Sequence, residues 1–316
     1  RSKICARANL NFVPYMLSLT AGAIERNDKS EKLIRPRCFT DPNYRKEIMG
    51  SIRKTVPIVK KYGSSVYSLS INGELAQRKD YCFSETCQES FRVFLQKNYK
   101  DLEHLNEVWS TAYENWSEVR ASTFEEAKEQ NNYSSWVAHR QHMEEVFATF
   151  LGDCREEIRQ LDSRALVGMD ELRETSSFAG FDWWHLLNSL DYCSAYTHNF
   201  QRYEHKELIR SFLTADKSFS GLWMGSYNRS EEYNRYIPWQ TIFNGMNTVS
   251  WWMGYNNAGG YTWSALEPSF KELPFFAQAA EEISEIKKGI GRLLLNSEKI
   301  KDKIDNKDTE YNPNIL

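Results

Sequence analysis

Short apolar runs of strand length alternate along the chain with longer segments whose apolar residues recur at helical spacing. That alternation predicts parallel strands covered by helices. The strand-length runs fall at residues 11–17, 65–71, 165–169, 190–196, 221–224 and 248–253. The helical segment 41–61 opens on Asp41-Pro42, a favourable start, and sets Ile48, Ile52, Val56 and Val59 on one face. Residues 85–99 carry Phe91, Phe94 and Leu95 at helical spacing, and Leu102, Leu105, Val108 and Trp109 continue as a second short helix. The longest segment, 134–161, turns Val137, Met143, Val146, Phe150 and Ile158 inward, and 181–187, 205–213, 238–244 and 273–290 complete the set. No internal repeat of fixed period is visible. Six strand–helix units without a break in composition argue for one α/β domain over residues 1–296, either a barrel or an open sheet. Residues 297–316, rich in Lys, Asp, Glu and Asn, read as a charged tail or linker.

Composition narrows the partners. The 40 Lys+Arg against 43 Asp+Glu leave a net charge of −3, with no basic stripe, so a nucleic-acid partner is excluded. No run approaches the roughly 18–20 apolar residues a membrane span needs. Six cysteines in 316 residues form no disulfide framework, which makes reduced thiols and a cytoplasmic location the default. Residues 1–23 superficially resemble a secretion signal, but Asn9, Asn11 and Pro14 interrupt it; secretion is left open, as is a homo-oligomer. The aromatic content is high, with 10 Trp, 17 Tyr and 17 Phe. Most single rings are expected in the core, yet a surplus of this size fits a carbohydrate cleft.

Candidate chemistry collects where strands are expected to end. Glu74 follows the run 65–71 within Asn72-Gly73-Glu74-Leu75, and Asp170-Glu171 follow 165–169. In strand–helix folds, sites gather at the carboxyl ends of strands, so these carboxylates are placed for acid/base work. A lone Glu after a strand is more often a cap or a surface charge. A pair from different strands is what glycosidic chemistry requires, one to protonate the leaving oxygen and one to attack or to activate water. Cys82 and Cys87, with Cys38 upstream, could bind zinc given a fourth ligand; buried free thiols are the competing reading. Among the histidines only His198, at the end of an expected strand, looks site-like, and no metalloprotease pair, serine nucleophile elbow or phosphate-cradling glycine loop is present.

The stretch Cys82-Phe83-Ser84-x-x-Cys87, followed by Phe91, Phe94-Leu95, Tyr99, Leu102, Leu105-Asn106, Trp109-Ser110-Thr111 and Trp116, resembles the segment after the acid/base strand in family 42 glycoside hydrolases, the microbial β-galactosidases. Residues 36–45 resemble the part after that family's third barrel strand, and 239–252, with Phe243-x-Gly245, the helix and strand that close the barrel. The resemblance covers residues 11–295 and implies a (β/α)8 TIM-type barrel that hydrolyses β-galactosides with retention. The first strand here aligns with the family's third, so the barrel is expected to be incomplete, with about six strand–helix units.

By the same resemblance, Glu74 takes the proton-donor position, preceded by Gly73 where the family has a sugar-binding Asn. The nucleophile position falls at Gly225. Glu231 and Glu232 are the nearest carboxylates there, and Glu171 comes from another strand as the second candidate catalytic group. Asn72, Tyr196, His198, Trp223, Trp251 and Trp252 are the expected substrate-binding residues. The zinc cluster of some members would use Cys38, Cys82, position 84 and Cys87; Ser84 is a poor replacement for a thiolate, so no metal or other cofactor is expected. The resulting expectation is a β-galactosidase-like glycoside hydrolase with a carbohydrate substrate, or alternatively a carbohydrate-binding pseudoenzyme that has lost its nucleophile.

Overall fold

The computed structural model describes residues 2–8, 12–16, 38–63, 65–69, 82–172, 182–196, 207, 211–212, 219–225, 229–252, 254–255 and 264–294. The chain divides into two compact units, one formed by 1–169 with 175–190 and the other by 170–174 with 191–316. Nothing in the composition marks this division.

In the first unit, α1 (Ser2–Arg7) and an extended segment around Tyr15 precede α2 (Pro42–Lys60). Helix α2 begins where the sequence predicts, because the Asp41 carboxylate accepts the Asn43 N–H at 2.8 Å and Pro42 needs no donor in the first turn. It buries Tyr44, Ile52, Val56 and Val59. Strand β1 (Val66–Ser68) pairs in parallel with β2 (Leu166–Leu172), Ser68 opposite Gly168. On its other side, the expected strand 11–17 contributes a single parallel bridge from Tyr15 to Ser68 among the described residues. Pro14 explains part of this: it accepts the Ser68 N–H through its carbonyl but has no N–H to return.

The described part of the connection from β1 to β2, residues 82–165, is mainly helical. It contains α3 (Glu85–Asn98), α4 (Leu102–Trp109), α5 (Phe124–Glu129) and α6 (Ser134–Leu161). Each of the first three starts at a side-chain cap: Ser84, Asp101 and Thr123, the last in a full capping box with Glu126. Phe91, Leu95, Leu105, Trp109 and Ala138 of these helices, with Val119 from the segment between α4 and α5, form one core cluster. Beside it Phe39, Tyr44, Phe147 and Phe150 pack ring on ring, Phe39 and Phe150 at 4.9 Å. The buried Tyr67 hydroxyl of β1 donates to Asp162, just past α6, at 3.0 Å. Helix α7 (Trp183–Ser189), capped by Asp182, packs on α6.

The second unit is a parallel three-stranded array of β3 (Tyr192–Tyr196), β4 (Phe219–Gly225) and β5 (Thr248–Trp252), neighbours in chain order. Helix α8 (Glu231–Phe243) precedes β5, and α9 (Pro274–Glu285) follows it and packs on α8. Helix α8 starts well before the expected 238, because Ser230 accepts the Tyr233 N–H and caps it, leaving Pro238 inside the helix. The expected helix 205–213 lies mostly outside the described residues, as does the tail 297–316. In each unit the parallel strands pair in chain order, as in the strand–helix repeat of a (β/α)8 barrel.

Candidate functional site

The carboxyl ends of the parallel strands carry Asp170 and Glu171 on β2, Tyr196 on β3, Gly225 on β4 and Trp252 on β5. Register sets Tyr196 beside Trp223 and Gly225 beside Trp252, so in the second unit these positions line one edge. For Glu171, Tyr196, Trp223 and Trp252 the backbone alone is described. Asn72, Glu74 and His198 lie outside the described residues. Asp170 is buried at 8% exposure. Burial, reinforced by the Asp170 charge, pushes up the thiol of the neighbouring buried Cys193 and keeps it protonated.

The structure gives Trp251 a different environment from the one expected of a sugar-binding ring. Its indole N–H donates to Asn234 of α8 at 2.9 Å, and its ring stands edge-on to Phe276 of α9 at 6.0 Å. Trp251 therefore belongs to the helix-facing side of β5, whereas Trp252 follows it on an alternating strand. Glu231 and Glu232 are exposed in the first turn of α8, where they line a cavity of about 590 Å³ with Arg235, Trp239 and Glu282. They serve that helical groove and the first turn of α8, and the residue at the end of β4, where the sequence resemblance puts the nucleophile, is Gly225.

The thiols do converge. The sulfurs of Cys38, Cys82 and Cys87, all buried, lie within 4.8 Å of one another, with Cys38 and Cys87 at 3.0 Å and the Met143 sulfur 3.7 Å from Cys87. Hydrogen bonds from Cys82 and Cys87 favour the thiolate of Cys38, which is therefore the first to ionise; that charge and burial hold the other two as thiols. Among the described side chains, the other groups bonded to these sulfurs are hydroxyls. Thr40 Oγ1 is 2.9 Å from Cys38 Sγ, and Ser84 Oγ is 3.3 Å from Cys82 Sγ while accepting the Cys87 N–H as the cap of α3. Three sulfurs match one face of a zinc tetrahedron, but a closed structural site takes sulfur or imidazole at all four corners. Among the described residues no fourth sulfur or imidazole joins the three, so a four-ligand zinc does not fit this donor set, and the hydroxyls satisfy the thiols directly.

Two buried histidines next to this cluster, His139 and His142, are held neutral. Burial lowers them to about 3 and about 4 respectively, and His142 bonds Ser90 through Nε2 at 2.8 Å. They are core residues, as is the Tyr67–Asp162 pair. Sequence reasoning also passed over Tyr255 and Phe270, whose rings stack at 4.6 Å just beyond β5; the only sequence signal was their aromatic character.

The model of glycoside hydrolase family 42, described as beta-galactosidase, matches residues 23–242. A beta-galactosidase of Thermus thermophilus is 33% identical over 84 residues, which are 26% of this chain and 12% of that protein. Among solved structures, a beta-galactosidase from Bacillus circulans sp. alkalophilus superposes with a TM-score of 0.64 at 18% identity, covering 80% of this chain and 40% of the other. A cold-adapted beta-galactosidase from Rahnella sp. R3 gives 0.66 at 14%, over 79% and 40%. The chain thus spans well under half the length of the proteins it matches.

Proposed function

Because the chain belongs to glycoside hydrolase family 42, whose model covers residues 23–242, we propose that it forms the catalytic part of a β-galactosidase-like glycoside hydrolase. That match is the observation that carries the reading. It takes in the Glu74 position, and the carboxylates at the end of β2 support it, since barrel enzymes work at the carboxyl ends of their strands. In this reading Glu74 protonates the glycosidic oxygen as the aglycone leaves, and Glu171 supports the oxocarbenium-like centre on the sugar. Asn72, Tyr196, His198, Trp223 and Trp252 contact the substrate.

One observation favours a second reading. The strand end where the resemblance puts the nucleophile is Gly225, and the nearest carboxylates, Glu231 and Glu232, stand in the first turn of α8 and line its outer groove. A chain without that nucleophile keeps a sugar cleft but loses the covalent step, leaving a carbohydrate-binding pseudoenzyme.

Hydrolysis of an aryl β-galactoside panel by the wild-type chain and by Glu74→Gln tests both. General acid catalysis contributes about 10²–10⁴-fold, so the substitution is expected to lower turnover by that factor. Turnover unchanged by it removes Glu74 as the acid. Sugar binding without turnover in the wild type favours the pseudoenzyme.

A further inference from the structure

Phe270 is 65% exposed and lies in the left-handed region, at φ 63°, where a bulky L residue is strained and glycine or asparagine is the usual occupant. The turn that holds it is firmly built. Leu266 bridges to Glu272 in antiparallel fashion, the Glu267 N–H donates to the Lys271 carbonyl at 2.8 Å, and the Phe270 N–H donates to the Glu267 carbonyl at 2.8 Å. The hairpin is tied to the end of β5, because the Leu266 N–H donates to the Gly254 carbonyl at 3.1 Å and the Ser264 hydroxyl to the same oxygen at 3.3 Å. Its ring lies almost parallel to Tyr255, at 26°, with centroids 4.6 Å apart. A strained backbone persists where the surroundings over-determine it, and such positions collect at ligand sites.

We infer that Tyr255 and Phe270 form a stacking platform for a sugar ring at the rim of the face on which β5 ends. The inference rests on the carbohydrate reading above and gives it an outer subsite. A pyranose presents a flat face of C–H bonds that matches one aromatic ring in size, while its hydroxyls need polar groups around the edge. Here the rim supplies Glu267, Ser269 and Lys271 on the same turn, with Ser269 Oγ donating to Glu267 at 3.2 Å. Two rings are far too little area for a protein partner, whose standard interface covers about 800 Å² on each side. Core packing does not account for a ring this exposed. The position just past the carboxyl end of β5 is where substrates approach a barrel of this kind.

The test is calorimetric titration of the wild-type chain, Phe270→Gly and Phe270→Tyr with a β-linked galactotriose, alongside hydrolysis of 4-nitrophenyl β-galactoside. Phe270→Gly removes the ring and suits the backbone, so the chain stays folded and the dissociation constant is expected to rise about tenfold, the size of an aromatic stacking contribution. Phe270→Tyr keeps the ring and is expected to bind like the wild type. Tyr255→Ser, outside the hairpin, is expected to weaken binding as well, which guards against a folding defect in the turn. Unchanged affinity in Phe270→Gly overturns the platform, even when hydrolysis proceeds. Affinity that depends on Phe270 without hydrolysis supports the platform and overturns only the hydrolase reading. A wild type that binds no galactoside overturns both.

Discussion

Replacing Ser84 with cysteine puts a fourth sulfur beside three that already lie within 4.8 Å of one another. The hydroxyl it replaces sits 3.3 Å from the Cys82 sulfur, near the roughly 3.8 Å edge of a tetrahedron built on Zn–S bonds of about 2.3 Å. Without metal the change is unfavourable, because Ser84 caps α3 by accepting the Cys87 N–H and losing such a cap costs about 1 kcal/mol. With free zinc at about a thousand times its dissociation constant, binding stabilises by about 4 kcal/mol, a net gain of about 3. At roughly 2–4 °C per kcal/mol, Ser84→Cys should melt about 2–4 °C below wild type in chelator and about 6–12 °C above it in zinc. The wild type should respond to neither. Elemental analysis after dialysis, with thermal unfolding in zinc and in chelator, reads both quantities. A wild-type chain that retains one zinc and loses stability in chelator would show that Ser84 or Thr40 serves as the fourth ligand, refuting the fit argument. A Ser84→Cys chain that takes up no zinc would mean the sulfurs are not disposed as described.

Two further outcomes follow from buried groups. His139 and His142 are held neutral at about 3 and about 4, below the unfolded value of about 6.5, so the unfolded chain binds the extra protons. Their contribution is fully present above pH 6.5 and is lost as pH falls toward 4, by about 1.4 kcal/mol each at about pH 5.5; urea unfolding at neutral pH and at pH 5.5 measures it, and His142→Phe should lessen the dependence. A stability that stays flat over this range would contradict neutral, buried imidazoles. Tyr67→Phe strips the hydroxyl that donates to the buried Asp162 at 3.0 Å and is expected to cost about 1–3 kcal/mol in urea unfolding; a loss under about 0.5 kcal/mol would show that Asp162 finds a substitute donor.

What the sequence determined by itself is what is local or periodic. Asp41-Pro42 starts a helix because a capping carboxylate and a proline act within one turn, and α2 begins there. Short apolar runs mark strands and period-3.6 segments mark helices because a buried parallel strand is apolar on both faces and a covering helix on one, and the runs at 65–71, 165–169, 190–196, 221–224 and 248–253 all hold strands. The spacing of Cys82 and Cys87 around a helix start, with the family resemblance, brought the three thiols into one expectation. Tertiary structure decided what depends on direction and on partners distant in sequence. Trp251 and Trp252 are identical as letters, and only the packing of α8 and α9 claims the first through Asn234 and Phe276. Pro238 reads as a helix start, yet α8 begins seven residues earlier because the Ser230 cap and the packing of Ile237 and Ile242 outweigh one missing N–H. Phe270 carries no signal of a left-handed backbone, since nothing in a phenylalanine favours that conformation; the hairpin anchored to Gly254 imposes it, and so presents a ring that the sequence alone would place in the core.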